Sequence, residues 1–350
     1  MKKNVHRKKW NVFLILIIMI INVLSPIIIH AEEEGLSYYV TPVFPESQVE
    51  GNSQYFNINA SPGSTEKLTL NLQNANDKKK RIQITPHTAF TNVMGVVEYG
   101  KDAQEPDPTL SHSLDDLIER PAIVELDGKE TKTITIELKM PSKAFEGFLA
   151  GGLSIREVIE EEDSEIIEEE GLAIKNEFSY VIGIIVSNSR DSVQPDLDLL
   201  DVFADQLNYR NVISANIQNY TPTFVNRLAV EATIHRAGEN EVLYKANKEM
   251  MQMAPNSNFN FPISLEGDRF SSGEYLLKMR ASSGEDEWQW ERKFTIEADE
   301  ARMLNRADVT IDSSFNWWMI GSIVLMILLL VIFILWMLKK RKKKDYNDPE

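Results

Sequence analysis

The side chains that could carry catalysis are few in this sequence. Of its five histidines, His6 and His30 lie in the N-terminal region, which leaves His87, His112 and His235. None of these stands in a His-Glu-x-x-His metal motif, and no Gly-x-Ser-x-Gly nucleophile elbow is present. The absence of cysteine excludes thiol chemistry. The sequence therefore predicts no catalytic residue, no cofactor and no metal site, which favours a binding protein over an enzyme.

Acidic residues are abundant, and two groups of them could bind cations. Glu157–Glu170 holds nine acids, but like charges at this density repel one another and stay solvated, which favours a hairpin loop. Asp196, Asp198 and Asp201 suggest a calcium site, yet the glycine and closing glutamate of an EF-hand loop are missing. A carboxylate pair of the glycosidase type stays open as the alternative, and it would make the chain a glycan-cleaving enzyme.

Aromatic and glycine residues give two further candidates for binding. Trp288 and Trp290 fall on one strand face with Phe294 and Ile296, where they could stack on a sugar. Such a row more often packs in a core, because each ring buries a large apolar area. The glycine-rich stretch at 147–152 is unusual in a strand. It predicts a bulge or the close approach of another backbone or ligand.

The elements that must position these residues are strands. Lys67–Gln73 and Thr133–Met140 alternate apolar and polar residues, and Phe178–Val186 is almost entirely apolar, as in a central strand. Short strands separated by polar turns predict an all-β protein of two tandem immunoglobulin-like β-sandwich domains. We expect the first at residues 36–190 and the second at 195–297.

One polar loop and one short helix interrupt this pattern. Gly100–His112 is predicted to be a surface loop. A helix is expected near Leu114–Glu119, because Ser113 and Asp116 resemble a capping box and Pro121 prevents continuation.

The N-terminus predicts export. Residues 1–31 combine a basic start, an apolar run and Ala31, which is typical of a signal peptide. The run is long for a signal peptide, so an uncleaved N-terminal anchor is the alternative.

The C-terminus predicts an anchor in the cell membrane. Residues 317–338 are apolar and uncharged, and about 20 residues suffice to cross the bilayer. The basic tail at 339–350 is expected on the cytoplasmic side. Residues 298–316 are expected to form a stalk that reaches at most about 65 Å. The residues predicted to lie at the two membrane faces are Trp317, Trp318, Lys339, Lys340 and Arg341.

Between the apolar ends the chain is strongly acidic. Setting aside five N-terminal and six C-terminal basic residues and the three acids after Leu338 leaves 26 basic and 50 acidic residues, a net charge near −24. Such a surface repels nucleic acid, anionic lipid and teichoic phosphates. An exported chain without cysteine also suggests a Gram-positive surface.

The ordered motifs of both predicted domains resemble those of the WxL-interacting protein family. In the first domain they are Tyr39-Val40-Thr41-Pro42, Pro45-Glu46, Tyr55-Phe56, Pro62-Gly63, Gly95–Tyr99, Phe145-Glu146-Gly147, Gly151-Gly152 and Tyr180–Gly183. In the second they are Ile217-Gln218-Asn219, Met253–Ser257, Gly273-Glu274-Tyr275 and Trp288–Glu291. Ser47, where similar proteins often have Asn, and the Glu157–Glu170 insertion depart from this pattern.

The resemblance implies a first domain that binds peptidoglycan and a second that binds host or partner proteins. The partners expected are WxL-domain surface proteins, with host extracellular matrix proteins as further candidates. No individual binding residue can be assigned from it. The resulting hypothesis is a single-pass membrane scaffold at the cell wall that bridges peptidoglycan and a WxL-type protein. A cell-wall hydrolase or modifying enzyme with an acidic pair is the alternative. A sensor or transporter accessory is less favoured, because the tail after Leu338 has only 12 residues.

Overall fold

The computed structural model describes residues 36–51, 53–158, 178–311 and 317–345. The predicted signal peptide at 1–31 lies outside the described residues. So do most of the acidic Glu157–Glu170 segment and the last five residues of the predicted tail.

Seventeen strands and three helices make up the described part of the chain. The strands are β1 (Tyr38–Val43), β2 (Phe56–Asn59), β3 (Thr65–Asn74), β4 (Lys80–Thr88), β5 (Phe90–Thr91), β6 (Val97–Glu98), β7 (Val124–Leu126), β8 (Thr131–Lys139), β9 (Leu149–Glu157), β10 (Ser179–Ser187), β11 (Leu197–Leu207), β12 (Arg210–Asn219), β13 (Val225–Arg236), β14 (Tyr244–Met253), β15 (Ser257–Ser264), β16 (Gly273–Ser283) and β17 (Asp286–Ile296). The helices are α1 (Leu114–Leu117), α2 (Ala298–Ala307) and α3 (Trp317–Asp345).

The first domain is a β-sandwich. One sheet has the order β1-β3-β8, and the other has the order β2-β10-β9-β4-β7. Its core lies between the sheets, where the alternating residues Leu68, Leu70 and Leu72 of β3 are fully buried. The central position predicted for the apolar segment around β10 is confirmed, because β10 pairs with β2 on one side and β9 on the other.

The second domain is also a β-sandwich, built from sheets β11-β12-β15 and β14-β13-β16-β17. Phe294 and Ile296 of β17 are buried in its core, and Trp288 and Trp290 pack against that core while staying partly exposed. The interpretation of this row as core is therefore confirmed. Both domains are β-sandwiches, and the described strands pair antiparallel except for the parallel β2–β10 pair, so the predicted fold class is confirmed.

The start of the predicted stalk is wrong. Residues Ala298–Ala307 form α2, whose Ala301 is buried in the second domain's core. Gln206 donates from Nε2 to the Leu304 carbonyl (2.7 Å), and the Asn211 amide donates to Asp308 Oδ2 (2.7 Å). The segment is folded because helix-forming residues follow a capping box, with Glu297 at the N-cap and Glu300 at the third helical position.

The short helix α1 forms where the sequence predicts it, but its cap differs. Ser113 makes no capping hydrogen bond to the helix. Instead, the amide of Asp115 donates to Thr88 Oγ1 at 3.2 Å, and Thr88 Oγ1 lies close enough to donate to Asp115 Oδ1. Thr88 of β4 thus accepts the hydrogen bond at the start of the helix that the sequence pattern assigns to Ser113.

Helix α3 is long and apolar enough to cross a membrane, judged by length and composition. Its segment Ile320–Met337 has a mean hydropathy of 3.0, and no side chain of that segment is buried in the protein. The helix continues past the predicted end at residue 338 to Asp345.

Candidate functional site

The two domains meet in an interface made by the ends of their strands. The first domain contributes the β5–β6 hairpin, the loop before α1 and the turn before β9. The second domain contributes the β12–β13 and β14–β15 connections. The prediction that Gly100–His112 is a surface loop is confirmed for most of its residues, but the loop also carries one residue that is buried between the domains.

The buried residue is Asp107, which is hydrogen-bonded to uncharged side chains of the second domain. Its carboxylate accepts hydrogen bonds from Gln218 Nε2 (3.0 Å to each oxygen) and Asn258 Nδ2 (2.6 Å). Thr109 of the same loop donates from its hydroxyl at 2.6 Å. Burial alone would raise the pKa of the Asp107 carboxyl, but these hydrogen bonds outweigh it and lower the pKa below its ordinary value of 3.8.

A second buried contact joins the β5–β6 hairpin to the β14–β15 turn. Thr91 Oγ1 lies 2.7 Å from Ser257 Oγ and accepts a hydrogen bond from the Ala254 amide at 3.0 Å. Beside it, the Gln252 amide donates to the carbonyl of Gly95 at 2.8 Å. Backbone groups of the second domain are thus satisfied by the first, which couples the two folds.

The glycine-rich stretch makes the third contact. Gly147 has φ +65°, and a Cβ atom there would lie 2.0 Å from the Pro222 carbonyl oxygen. That oxygen accepts the Phe148 amide at 2.8 Å, and the Phe148 ring lies 6.2 Å from the ring of Phe224. The predicted close approach of another backbone is therefore confirmed, and the other backbone belongs to the second domain.

An open cleft of about 530 Å³ runs along this junction. The first domain lines it with the outer face of its larger sheet, and the second domain lines it with the start of β13 and the end of β14. The described lining residues are Gln54, Tyr55, Tyr99, Val181, Gly183, Ile185, Phe224, Asn226 and Gln252.

The chemistry of the cleft is neutral. Three rings and two branched side chains supply apolar surface, three amide side chains supply donors and acceptors, and none of the described lining residues is charged. Burial raises the pKa of the Tyr99 phenol to about 12, so it stays protonated. Such a surface suits uncharged sugar rings and peptide amides, which bind by stacking and hydrogen bonding rather than by charge.

The β9 residue Ser154 lies near this cleft in a serine–histidine–aspartate arrangement that the sequence did not reveal. His87 Nε2 lies 3.0 Å from Ser154 Oγ, and His87 Nδ1 lies 2.9 Å from Asp102 Oδ1. However, β9 is paired on both sides, with Val181 and Thr85 opposite Ser154. A nucleophilic serine needs free N–H groups to hold an oxyanion, and a strand paired on both sides does not supply them. We interpret these hydrogen bonds as structural, because they fix the loop that carries Asp102 to strands β4 and β9.

The predicted acidic candidates do not form a metal site in the described residues. Asp196 accepts the hydroxyl of Tyr220 and Trp288 Nε1 (2.9 Å), so its oxygens are bound by side chains. Glu157, expected in the acidic loop, instead pairs with the buried Lys80 at 2.5 Å. The predicted membrane residues Trp317, Trp318, Lys339, Lys340 and Arg341 all lie on α3, and Trp318 is exposed.

Several bacterial chaperones are among the solved structures that this chain resembles at low identity. The class 5 fimbriae chaperone CfaA is 11% identical, with 74% of this chain and 99% of that chain covered and a TM-score of 0.29. The E. coli chaperone DraB is 15% identical, with 75% and 98% covered and a TM-score of 0.27. The CupB2 chaperone of Pseudomonas aeruginosa is 13% identical, with 66% and 93% covered and a TM-score of 0.27. No curated protein matches the sequence.

Two family models match in tandem. Residues 38–157 match the WxL Interacting Protein peptidoglycan binding domain, and residues 169–306 match the WxL Interacting Protein host binding domain. The second match begins before β10, although the hydrogen bonds of β10 place it in the first sandwich. The second match also ends inside α2, in accord with the packing of that helix on the second domain. The matches describe a cell-surface binding protein, and with both domains present in order this chain belongs to the WxL-interacting protein family.

Proposed function

We propose that this chain is a single-pass membrane scaffold whose interdomain cleft binds peptidoglycan while its second domain holds a WxL-domain surface protein. The observation that carries the proposal is the neutral, aromatic and amide-lined cleft beside the domain matched as peptidoglycan binding. Peptidoglycan offers sugar rings, amides and hydroxyl groups, which this lining complements. Helix α3 supplies the anchor, and host extracellular matrix proteins are further candidates for the second domain.

The cleft makes a direct prediction for Tyr55. Tyr55→Ala in the full chain should weaken binding to purified peptidoglycan, measured by sedimentation, by roughly fivefold or more, since one aromatic contact is worth about 1 kcal/mol beyond its buried area. Tyr39→Ala is the matched control, because Tyr39 is a partly exposed tyrosine on β1 outside the cleft. Equal binding by the two variants would place the site elsewhere.

A second variant tests the same cleft without removing a contact. Gly183 has an ordinary strand conformation, and a Cβ atom there would meet Tyr55 at 3.5 Å, a normal packing distance. Gly183→Leu should therefore fold and fill the cleft, and we expect it to abolish retention on peptidoglycan. Because the lining is uncharged, retention by the unmodified chain should also change little with salt, unlike an exposed ionic contact.

The bridge itself is tested by a three-component experiment. A purified WxL-domain protein should sediment with peptidoglycan more strongly when the full chain is present than when it is absent, and Gly183→Leu should remove that gain. If the WxL-domain protein gains nothing from the chain, the bridging role is wrong even if the cleft binds peptidoglycan.

The hydrolase alternative makes a different prediction. An enzyme would release soluble muropeptides from clean peptidoglycan, whereas the scaffold should release none. Release that is lost in Ser154→Ala would identify the Ser154–His87–Asp102 arrangement as catalytic, and release that survives this change would favour an acidic pair.

A further inference from the structure

The second domain has two opposite ends, and the strand register defines them. Asn219 of β12 pairs with Leu197 and Ser257 at the end that meets the first domain. Arg210, at the other end of β12, pairs with Leu207 next to the β11–β12 turn. Ten strand residues separate these ends, which is about 30 Å. The turn at 208–209 therefore lies at the end of the domain farthest from the first domain.

Helix α2 closes this far end and fixes the chain there. The Val309 amide donates to the Tyr209 carbonyl at 3.0 Å, and the Thr310 hydroxyl donates to Asp308 Oδ1 at 2.6 Å. Folded structure thus continues to about residue 310. Only residues 312–316 separate Ile311 from α3, and a fully extended link of that length reaches roughly 20 Å, far less than the 65 Å expected for a stalk of residues 298–316.

Apolar side chains are exposed at this same end. Tyr209, Met303 and Val309 are 72%, 64% and 70% exposed. Arg302 and Arg306, one helical turn apart on α2, are exposed beside Met303. The helix carries two acids, Asp299 and Glu300, and both lie in the first turn, at the end of the helix farther from α3. We call Tyr209, Arg302, Met303, Arg306 and Val309 the base patch.

We propose that the base patch docks on the outer surface of the lipid bilayer and holds the second domain upright on the membrane. The proposal rests on the anchoring role of α3 in the proposed function. A link that reaches roughly 20 Å keeps the patch next to the bilayer whatever its conformation. Tyrosine, methionine and valine gain by entering the interfacial region, and the two arginines can contact lipid phosphates.

Docking has a geometric consequence for the cleft. With its far end on the bilayer, the second domain acts as a spacer about 30 Å tall, the length of β12. The cleft and the first domain are then lifted away from the membrane toward the wall. A flexible stalk would instead let the cleft fall back against the lipid.

Single-cysteine labelling of the full chain tests the docking, since the sequence has no native cysteine. Tyr209→Cys, Met303→Cys and the control Glu285→Cys would each carry an environment-sensitive fluorophore. The control is an exposed residue in the β16–β17 turn, at the end near the first domain. In vesicles of phosphatidylcholine and phosphatidylglycerol that contain nitroxide-labelled lipid, the first two labels should lose most of their fluorescence and the control should keep it.

The outcomes separate docking from anchoring. A chain that does not float with the vesicles would overturn both the anchoring and the docking. A chain that floats but shows no more quenching at residues 209 and 303 than at residue 285 would overturn docking alone. Adding Arg302→Glu with Arg306→Glu should reduce the quenching at residue 209 if the arginines contact lipid phosphates as proposed.

Discussion

Gly147→Ala should destabilise the full chain by about 3 kcal/mol or more, because two separate costs combine at this position. The residue has φ +65°, where any side chain is strained, and the new Cβ would lie 2.0 Å from the Pro222 carbonyl oxygen. Relieving that clash must push the β12–β13 connection away from the first domain. The movement would also break the hydrogen bond from the Phe148 amide to the same oxygen.

The matched control is Gly238→Ala in the β13–β14 turn. Gly238 also has a positive φ, +83°, but a Cβ atom there meets nothing within 4 Å. Gly238→Ala should therefore lower the free energy of unfolding by only about 1 kcal/mol, the cost of placing alanine in the left-handed conformation. Chemical denaturation followed by tryptophan fluorescence measures both variants. Similar losses for the two glycines would show that the interface contributes nothing beyond backbone strain.

The same variant bears on function. If the cleft needs both domains in register, Gly147→Ala should weaken peptidoglycan retention even under conditions in which both sandwiches stay folded. Gly238→Ala should bind normally, because its turn is remote from the residues that line the cleft.

The sandwich cores could be predicted from the sequence because their signal is local. A strand with one buried face has a period of two, and Leu68, Leu70 and Leu72 fulfil that pattern within a single element. The segment at 178–186 is almost entirely apolar, and this composition by itself predicts a central strand. The turn and glycine signals also depend on neighbouring residues alone.

The candidate site could not be predicted in the same way, because its contacts join distant parts of the chain. Thr91 meets Ser257 across 166 positions, and Asp107 meets Gln218 across 111. In the sequence these are ordinary polar residues in turns and loops, so a surface location is the natural expectation. The arrangement of His87, Asp102 and Ser154 was hidden for the same reason, since it joins β4, β9 and a loop.

Helix α2 is a different case, because a local signal was present. Glu297 and Glu300 form a capping box, and the ten residues after Glu297 contain neither proline nor glycine. The stalk is predicted only because residues 298–316 lie between the second domain and the membrane helix, whereas the capping box favours a helix. The error matters for experiments, since a fragment ending at Ala298 would remove a helix whose Ala301 lies in the core.

Asp107→Ala should destabilise the chain by about 3 kcal/mol at neutral pH, because the amide donors of Gln218 and Asn258 would lose a charged acceptor inside the interface. Asp107→Asn should lower the free energy of unfolding by somewhat less, about 2 kcal/mol. One side-chain oxygen can still accept a hydrogen bond, but the new NH₂ group lies opposite the amide donors of Gln218 and Asn258. Glu105→Gln in the same loop is the control. Glu105 is exposed, so this change should alter the free energy of unfolding by less than about 0.5 kcal/mol.

The pH dependence of these variants separates the charge of Asp107 from its shape. The folded-state pKa of Asp107 is lowered from 3.8, so the unfolded chain binds its proton more readily. The stabilisation is therefore fully present above pH 3.8 and is lost as pH falls through the folded-state pKa. The difference in unfolding free energy between the unmodified chain and Asp107→Asn should therefore stay constant from neutral pH down to about 3.8 and shrink only below that pH. A difference that stays constant down to the acid limit would mean that the interface depends on the shape of the side chain and not on its charge.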